Sequence, residues 1–170
     1  LVPSNAIKEQ TLAALKNGKH PYRQALESGL GNVTVLNLEE ALYVQPAVMG
    51  AGSVIIVSTM QAFRVQDIEG RKVYDTSGAL MAHFSGLAHD VSRRLEAYED
   101  GRIVCSLANV LRLRRPIVIV DEANNVRTAL SFDTLARFEP SCVLEFTATP
   151  DVSGTSASNV LHTVSAAELH

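Results

Sequence analysis

Hydrophobic residues along this chain fall into short unbroken runs, separated by segments with helical spacing of apolar positions. A run of β-branched residues without polar alternation is typical of a strand that is buried on both faces, as in a parallel sheet covered by helices. The pattern predicts strands at residues 33–38 (VTVLNL), 53–59 (SVIIVST), 117–120 (IVIV) and within CVLEFTATP from residue 142. The opening pair Leu1-Val2 has the character of a strand end.

Helical patterns lie between these runs. The first predicted helix starts at a cap formed by Ser4 or Asn5, runs to about Asn17, and stops at Gly18. A short helix is predicted near residues 131–138, and residues 39–52 are predicted to form a loop or a short edge element.

The longest predicted helix spans residues 80–98. Its apolar residues recur every three or four positions and would form one face: Leu80, Phe84, Leu87, Val91, Leu95 and Tyr98. Strands and helices thus alternate, which predicts an α/β fold, a three-layer parallel sheet with helices on both faces.

Composition and charge narrow the class of protein. The 170 residues are 46% hydrophobic and 19% charged, which indicates one globular unit with a sizeable core. The net charge of -3 provides no general basic field, so contact with nucleic acid would depend on local groups. No apolar run approaches the ~18 residues of a membrane span, so we expect no membrane contact and a cytoplasmic location.

The cysteines and histidines indicate no metal site. Cys105 and Cys142 lack the spacing of a zinc site or a disulfide framework. His83 and His89 are six positions apart, about 240° around a helix, and are interpreted as surface or rim histidines.

Polar residues lie at the carboxyl ends of three of the predicted strands, the edge at which ligands bind in open α/β sheets. They are Ser58 and Thr59, Asp121 and Glu122, and Thr147 and Thr149. In sites that hydrolyse nucleotides, an acidic residue after a buried strand holds Mg²⁺, and a second carboxylate orients the attacking water. Asp121 and Glu122 have the residue types and adjacency for these tasks, although both could instead cap a helix or begin a solvated loop.

Four segments have the order and spacing of motifs in superfamily 2 helicases. LVPSN (1–5) resembles motif Ia, STMQAF (58–63) the next nucleic-acid-contacting motif, DEAN (121–124) the DEAD/DEAH box, and TATP (147–150) motif III. The set covers residues 1–150 and is most similar to the restriction subunit of type III restriction enzymes.

This resemblance implies a helicase or DNA translocase that hydrolyses ATP with Mg²⁺. Residues 1–150 would form part of a first RecA-like domain, with residues 151–170 as a tail leading towards a second. Asp121 would help to hold Mg²⁺ through water, and Glu122 would activate the attacking water. Thr147 and Thr149 would couple hydrolysis to movement. The residues implied in contact with a DNA or RNA backbone are Pro3, Ser4, Ser58, Thr59 and Gln61.

The sequence departs from the helicase pattern in two respects. The fourth position of the box is Asn124, where relatives have Asp or His. No GxxxxGK[ST] phosphate loop occurs, since Gly18-Lys19 is followed by His20. We therefore expect this chain to be part of a longer protein, with the phosphate loop before Leu1 and the second RecA-like domain also elsewhere.

Three expectations follow for the chain by itself. It should lack measurable ATPase activity, hold neither ATP nor Mg²⁺ tightly, and expose an apolar groove or edge of its truncated sheet through which it could self-associate. The alternative is a non-enzymatic α/β binding or interaction module. In that case Asp121 and Glu122 only cap a helix, and the threonines only favour strand structure.

Overall fold

The computed structural model describes residues 1–63, 72–121, 129–149 and 159–164. The helices are α1 (Asn5–Lys16), α2 (Pro21–Leu30), α3 (Leu38–Ala41), α4 (Pro46–Gly50), α5 (His89–Ser92), α6 (Leu107–Arg114) and α7 (Ala129–Ala136), with 3₁₀ turns at Gln61–Phe63 and Gly78–Phe84. The strands are β1 (Val33–Asn37), β2 (Ser53–Val57), β3 (Ile117–Asp121) and β4 (Cys142–Phe146). Among the described helices, none has the length and apolar character needed to cross a membrane.

The four strands form two parallel pairs, β1 with β2 and β3 with β4. β1 and β2 pair from Val33 opposite Ser53 to Asn37 opposite Val57. All four strands were predicted from their apolar runs, with ends that differ by one to four residues. The predicted α/β class with parallel strands is confirmed at this level.

Leu1 and Val2 link the two strand pairs. The Val2 amide donates a hydrogen bond of 3.0 Å to the Ser58 carbonyl just beyond β2, and Val2 forms a parallel bridge with Thr59. On the other side, the Leu1 amino group donates to the Ile119 carbonyl, and the Asp121 amide donates to the Leu1 carbonyl at 2.9 Å. The dipeptide therefore lies between the end of β2 and β3, and its bridge to Thr59 agrees with the predicted strand end.

Alternate side chains of β1 and β2 enter two different apolar clusters. Val33, Val35 and Val57 pack with Leu12 of α1, and Leu26 of α2 joins the same cluster. The residues that alternate with these in β1 and β2 point to the opposite face of the strand pair. They pack against a larger cluster that contains residues of α3, α6 and the 3₁₀ turn at Gly78–Phe84. Both faces of this strand pair are therefore in contact with helical segments, which accounts for the absence of polar alternation in the two runs.

The prediction of one long helix over residues 80–98 is wrong. The segment forms the 3₁₀ turn, the four-residue helix α5 and an antiparallel bridge between Ala97 and Ile103. Gly86 has φ 69°, a left-handed conformation that ends a right-handed helix, and Ala88 is extended. Of the six apolar positions, Leu80 and Phe84 pack in the larger cluster, whereas Tyr98 is 46% exposed, so the spacing did not mark one continuous buried face.

Two smaller predictions are also wrong. Residues 39–52, predicted as a loop or edge element, contain most of α3 and all of α4. His83, interpreted as a surface or rim histidine, is buried, and its Nε2 lies 2.8 Å from the Val44 carbonyl. The predicted helix at 131–138 does occur, but α7 spans Ala129–Ala136.

Candidate functional site

The carboxyl ends of β3 and β4 bring Asp121 and Thr147 to one edge. Asp121, the last residue of β3, is opposite Phe146 in the parallel register, and Thr147 follows Phe146 directly. Through Leu1, the same edge continues to Ser58 and Thr59 beyond β2. Three of the segments chosen from the sequence thus meet along a single line of strand ends.

Asp121 presents an exposed carboxylate at this edge. Mg²⁺ in nucleotide sites is commonly bound through one or two carboxylates plus substrate phosphates, and it keeps several waters. One accessible aspartate at a strand end fits that mode, in which most ligands come from the substrate and solvent. In the described ranges, no group of three or more His, Cys, Asp or Glu side chains forms a protein-only metal site.

Several residues of the candidate site lie outside the described residues. These are Glu122 and Asn124 of the DEAN segment and Pro150 of the TATP segment. Their assigned roles therefore stay predictions.

Thr147 and Thr149 form a local turn beyond β4. The Thr149 amide donates a hydrogen bond of 3.2 Å to the Thr147 hydroxyl. Such a bond fixes the backbone where the chain leaves the sheet, as Ser and Thr hydroxyls often do in turns. Thr147 is half-buried, and its hydroxyl is held within one turn of the strand end that pairs with Asp121.

A cavity of about 500 Å³ opens beside these strand ends, where β1 and β2 finish and α1 begins. Its walls come from the first turns of α1, the residues after β1, the residues after β2, and one lysine from further along the chain. The lining residues are Asn5, Lys8, Glu9, Asn37, Leu38, Glu39, Leu42, Ser58, Thr59, Gln61, Ala62 and Lys72.

Four residues of the STMQAF segment line this cavity, and the three polar ones, Ser58, Thr59 and Gln61, differ in exposure and hydrogen bonding. Ser58 is buried, and its hydroxyl donates a hydrogen bond of 3.3 Å to the Thr59 carbonyl. Thr59 is only 6% exposed, and its hydroxyl has no hydrogen-bond partner among the described residues. Gln61 is exposed at the start of a 3₁₀ turn. Thr59 and Gln61 are therefore the two polar groups from this segment that could bind a ligand.

Pro3 and Ser4 lead into the wall formed by α1. Ser4 is the N-cap of α1, and its hydroxyl accepts a hydrogen bond of 3.3 Å from the Ile7 amide. The predicted cap is confirmed at Ser4. Pro3 is half-buried between the bridge at Val2 and this cap. Because the Ser4 hydroxyl already stabilises the helix, contact with a backbone phosphate would have to share it.

The charges around the cavity balance. Lys8 lies 3.3 Å from the Glu9 carboxylate, so its charge is partly compensated, whereas Lys72 and Glu39 are exposed on other walls. Two lysines and two glutamates give no net attraction for anions. Lys8, Lys72 and Asn37 were missed in the sequence. Lys8 could have been found because it lies one helical turn after the predicted cap, and Asn37 because it lies at the end of a predicted strand. No sequence pattern points to Lys72.

Comparison of the chain with protein-family models, with curated proteins and with solved structures finds no match.

Proposed function

We propose that this chain is the part of a superfamily 2 nucleic-acid-dependent ATPase that carries motifs Ia to III, similar to the restriction subunit of type III restriction enzymes. The observation that carries the proposal is the common edge on which Asp121, Thr147 and Thr59 lie. Parallel strands bring their carboxyl ends to one edge, and this is the edge at which ligands bind in open α/β sheets, so the motif-like segments lie where the proposed chemistry requires them.

The linkage through Leu1-Val2 supports the finer fold assignment. With the dipeptide as a short central strand, the two pairs would form one parallel sheet in the order β1, β2, Leu1-Val2, β3, β4. Such a sheet, with helices on both faces, corresponds to the three-layer RecA-like arrangement that the resemblance implies. Residues 1–150 would then be part of one nucleotide-binding domain, and residues 151–170 would lead towards a second.

At the edge near β3, Asp121 would hold a hydrated Mg²⁺ on the phosphates of ATP, and Glu122 would orient the attacking water. Thr147 and Thr149, next to Asp121 across the β3–β4 pair, would transmit the state of the nucleotide through their turn. The role of a bound Mg²⁺ is to neutralise charge that develops on the phosphates.

At the other end of the edge, the cavity would receive a DNA or RNA backbone. Thr59 and Gln61 would donate hydrogen bonds to phosphate oxygens, with Pro3 and Ser4 at the rim and Ser58 supporting Thr59. Contacts of this type hold phosphate and sugar, and they carry little sequence information. Binding by the chain alone should be weak, because the charges of the cavity balance.

A titration with a fluorescein-labelled single-stranded oligonucleotide, followed by anisotropy, tests this half of the proposal. We expect weak binding that weakens further with salt, and a three- to tenfold loss of affinity in Gln61→Ala and in Lys72→Ala, in the range of one lost phosphate contact. Lys19→Ala is the matched control, since Lys19 is exposed between α1 and α2 and away from the cavity. Equal losses in Lys72→Ala and Lys19→Ala would mean that the cavity is not the binding site.

A further inference from the structure

One face of the β3–β4 pair is apolar and open to solvent. The parallel register places Ile117 and Ile119 of β3 on the same face as Cys142, Leu144 and Phe146 of β4. The side chains of Ile117, Ile119 and Phe146 are 65%, 50% and 59% exposed. On the opposite face, Val120 is buried against Met60 and Leu135.

This open face continues a face that is covered elsewhere. The hydrogen bonds of Leu1 to Ile119 and Asp121 pair Leu1 with Val120, so Val2 projects to the same side as Ile119. Val2 packs in the cluster formed by α1 and α2. The helical cover therefore reaches Val2 and ends there, next to β3.

The same chain has a second exposed apolar surface, residues 159–164 (NVLHTV). Val160, Leu161 and Val164 are exposed, and Leu161 is 79% exposed. The segment contains no Asp, Glu, Lys or Arg, so burying it would desolvate no permanent charge. Adjacent apolar positions at Val160 and Leu161 would allow contact with a broad surface in an extended conformation.

The covalent connection favours this segment over a separate molecule as the occupant of the face. Twelve residues separate Phe146 from Asn159, and an extended chain of that length reaches about 40 Å. A five-residue strand such as β4 is about 17 Å long, so every point of the face lies within reach. A short tether also keeps the segment at an effective concentration in the millimolar range.

We propose that residues 159–164, which are exposed in the structure, close across the exposed face of β3 and β4 in a second arrangement of the chain, with Leu161 against Ile119 and Phe146. Docking would remove both apolar surfaces from water, and it would extend the cover of α1 and α2 across the remaining strands. The segment would then lie on the side of the sheet next to Asp121. This contact does not depend on the nucleotide chemistry proposed above.

Cys142 provides a native probe, because it is an exposed free cysteine on this face. Leu161→Cys and, separately, Val160→Cys are made in a Cys105→Ser background, so that only one disulfide can form. Air oxidation is followed by non-reducing electrophoresis and peptide mass spectrometry. The matched control is Ser28→Cys in the same background, which places a thiol on exposed α2.

We expect an intramolecular disulfide with Cys142 in at least one of the two segment variants, forming at least tenfold faster in buffer than in 8 M urea. The Ser28→Cys control should show no such difference. Formation of disulfide-linked dimers alone would assign the face to a second copy of the chain and contradict the proposal. Equal rates in buffer and urea for both segment variants would also contradict it.

Dye binding gives a second measurement that does not depend on thiol geometry. Leu161→Asp should increase the fluorescence of an added naphthalene sulfonate dye at least twofold, because the apolar face is uncovered. Tyr22→Asp is the control, since Tyr22 is an exposed apolar residue on α2. Equal fluorescence from the Leu161→Asp variant and the original chain would contradict docking.

Discussion

The amide of Asp121 donates a hydrogen bond of 2.9 Å to the carbonyl of Leu1, and this bond places Asp121 one strand away from the residues that follow β2. Val2, the next residue, donates a hydrogen bond to the Ser58 carbonyl and forms a bridge with Thr59. A displacement of β3 would therefore reach Thr59 through only two residues, Leu1 and Val2. In the proposed ATPase, this dipeptide would be the shortest backbone connection between nucleotide and nucleic acid.

The cap of α1 should contribute measurably to stability. Ser4→Ala removes the hydroxyl that accepts from the Ile7 amide, so one amide at the helix start loses its partner. The expected loss is about 1 kcal/mol in the free energy of unfolding, measured by urea denaturation. Ser28→Ala, within exposed α2, should change it by less than about 0.5 kcal/mol. Equal effects would mean that Ser4 does not cap the helix.

A buried asparagine should matter more than the cap. Asn109 is 1% exposed, and its side chain accepts a hydrogen bond from the Glu96 amide at 2.9 Å and donates to the carbonyls of Glu96 and Val104, both at 2.8 Å. Asn109→Leu keeps the branching of the side chain but leaves the Glu96 amide without its partner, and it removes one of the two donors from each carbonyl, although the two carbonyls still accept hydrogen bonds from the amides of Val104 and Ser106. We expect a loss of about 2–3 kcal/mol, since one unsatisfied buried group costs about 1–3 kcal/mol and the weakened bonding of the two carbonyls adds to it. Gln24→Leu on exposed α2 is the control, and a loss below about 1 kcal/mol in Asn109→Leu would contradict the network.

Acid should weaken one contact between α1 and α3. The Lys16 ammonium donates to both carboxylate oxygens of Glu40 at 2.7 Å, and this bond, followed by the Asn37 amide, lowers the pKa of Glu40. Because the folded pKa lies below the unfolded value, the stabilisation is complete above about pH 5–6 and is lost as the pH falls through the folded pKa.

The measurement for this contact is the difference in unfolding free energy between the original chain and Glu40→Gln, from pH 3 to 7. It should be less than about 1 kcal/mol at neutral pH, since both side chains are substantially exposed, and it should shrink below about pH 4.5. Glu39→Gln, at the neighbouring position in α3, is the control. A difference in unfolding free energy that grows towards low pH would contradict the lowered pKa of Glu40 in the folded chain.

Two nearby glycines should respond differently to alanine. A Cβ on Gly52 would lie 2.4 Å from the Asn32 carbonyl oxygen, which also accepts the Ser53 amide, whereas a Cβ on Gly50 would meet nothing within 4 Å. Gly52→Ala must displace backbone at the start of β2 and should cost about 1–3 kcal/mol. Gly50→Ala, at the end of α4, should raise the free energy of unfolding, by no more than about 1 kcal/mol. Thermal denaturation of the pair tests this, and equal melting temperatures would contradict the close approach.

The strands were predictable because each is a short, largely apolar run. The expected burial on both faces holds for β1 and β2, whereas one face of the β3–β4 pair is exposed, so the prediction that the run at 117–120 is buried on both faces is wrong. The start of α1 was predictable from Ser4 because capping is a local interaction. At residues 80–98, Leu80 and Leu95 are both buried but belong to separate segments, and the left-handed backbone of Gly86 lies between them. Tertiary contacts, which the sequence does not display, decided that segment.

The candidate site was predictable only in part. Parallel strands deliver their carboxyl ends to one edge, so the grouping of Asp121 and Thr147 followed from the strand assignment. The cavity did not, because it requires α1 to begin beside the ends of β1 and β2. Lys72 lines it from a position more than ten residues after β2, which no local pattern indicates.

Nucleic-acid-stimulated phosphate release, measured alongside ATP titration, tests the central claim most directly. In a protein that joins this chain to a phosphate loop, as the proposal requires, Glu122→Gln should reduce turnover at least about 100-fold, because it removes the water-activating carboxylate. ATP affinity should change by less than about threefold, since the metal ligand Asp121 is kept. The 170-residue chain should show no turnover, because the groups that hold the triphosphate are not in its sequence. Steady turnover by this chain, or undiminished turnover by the Glu122→Gln variant, would contradict the assignment of the chemistry to this sheet edge.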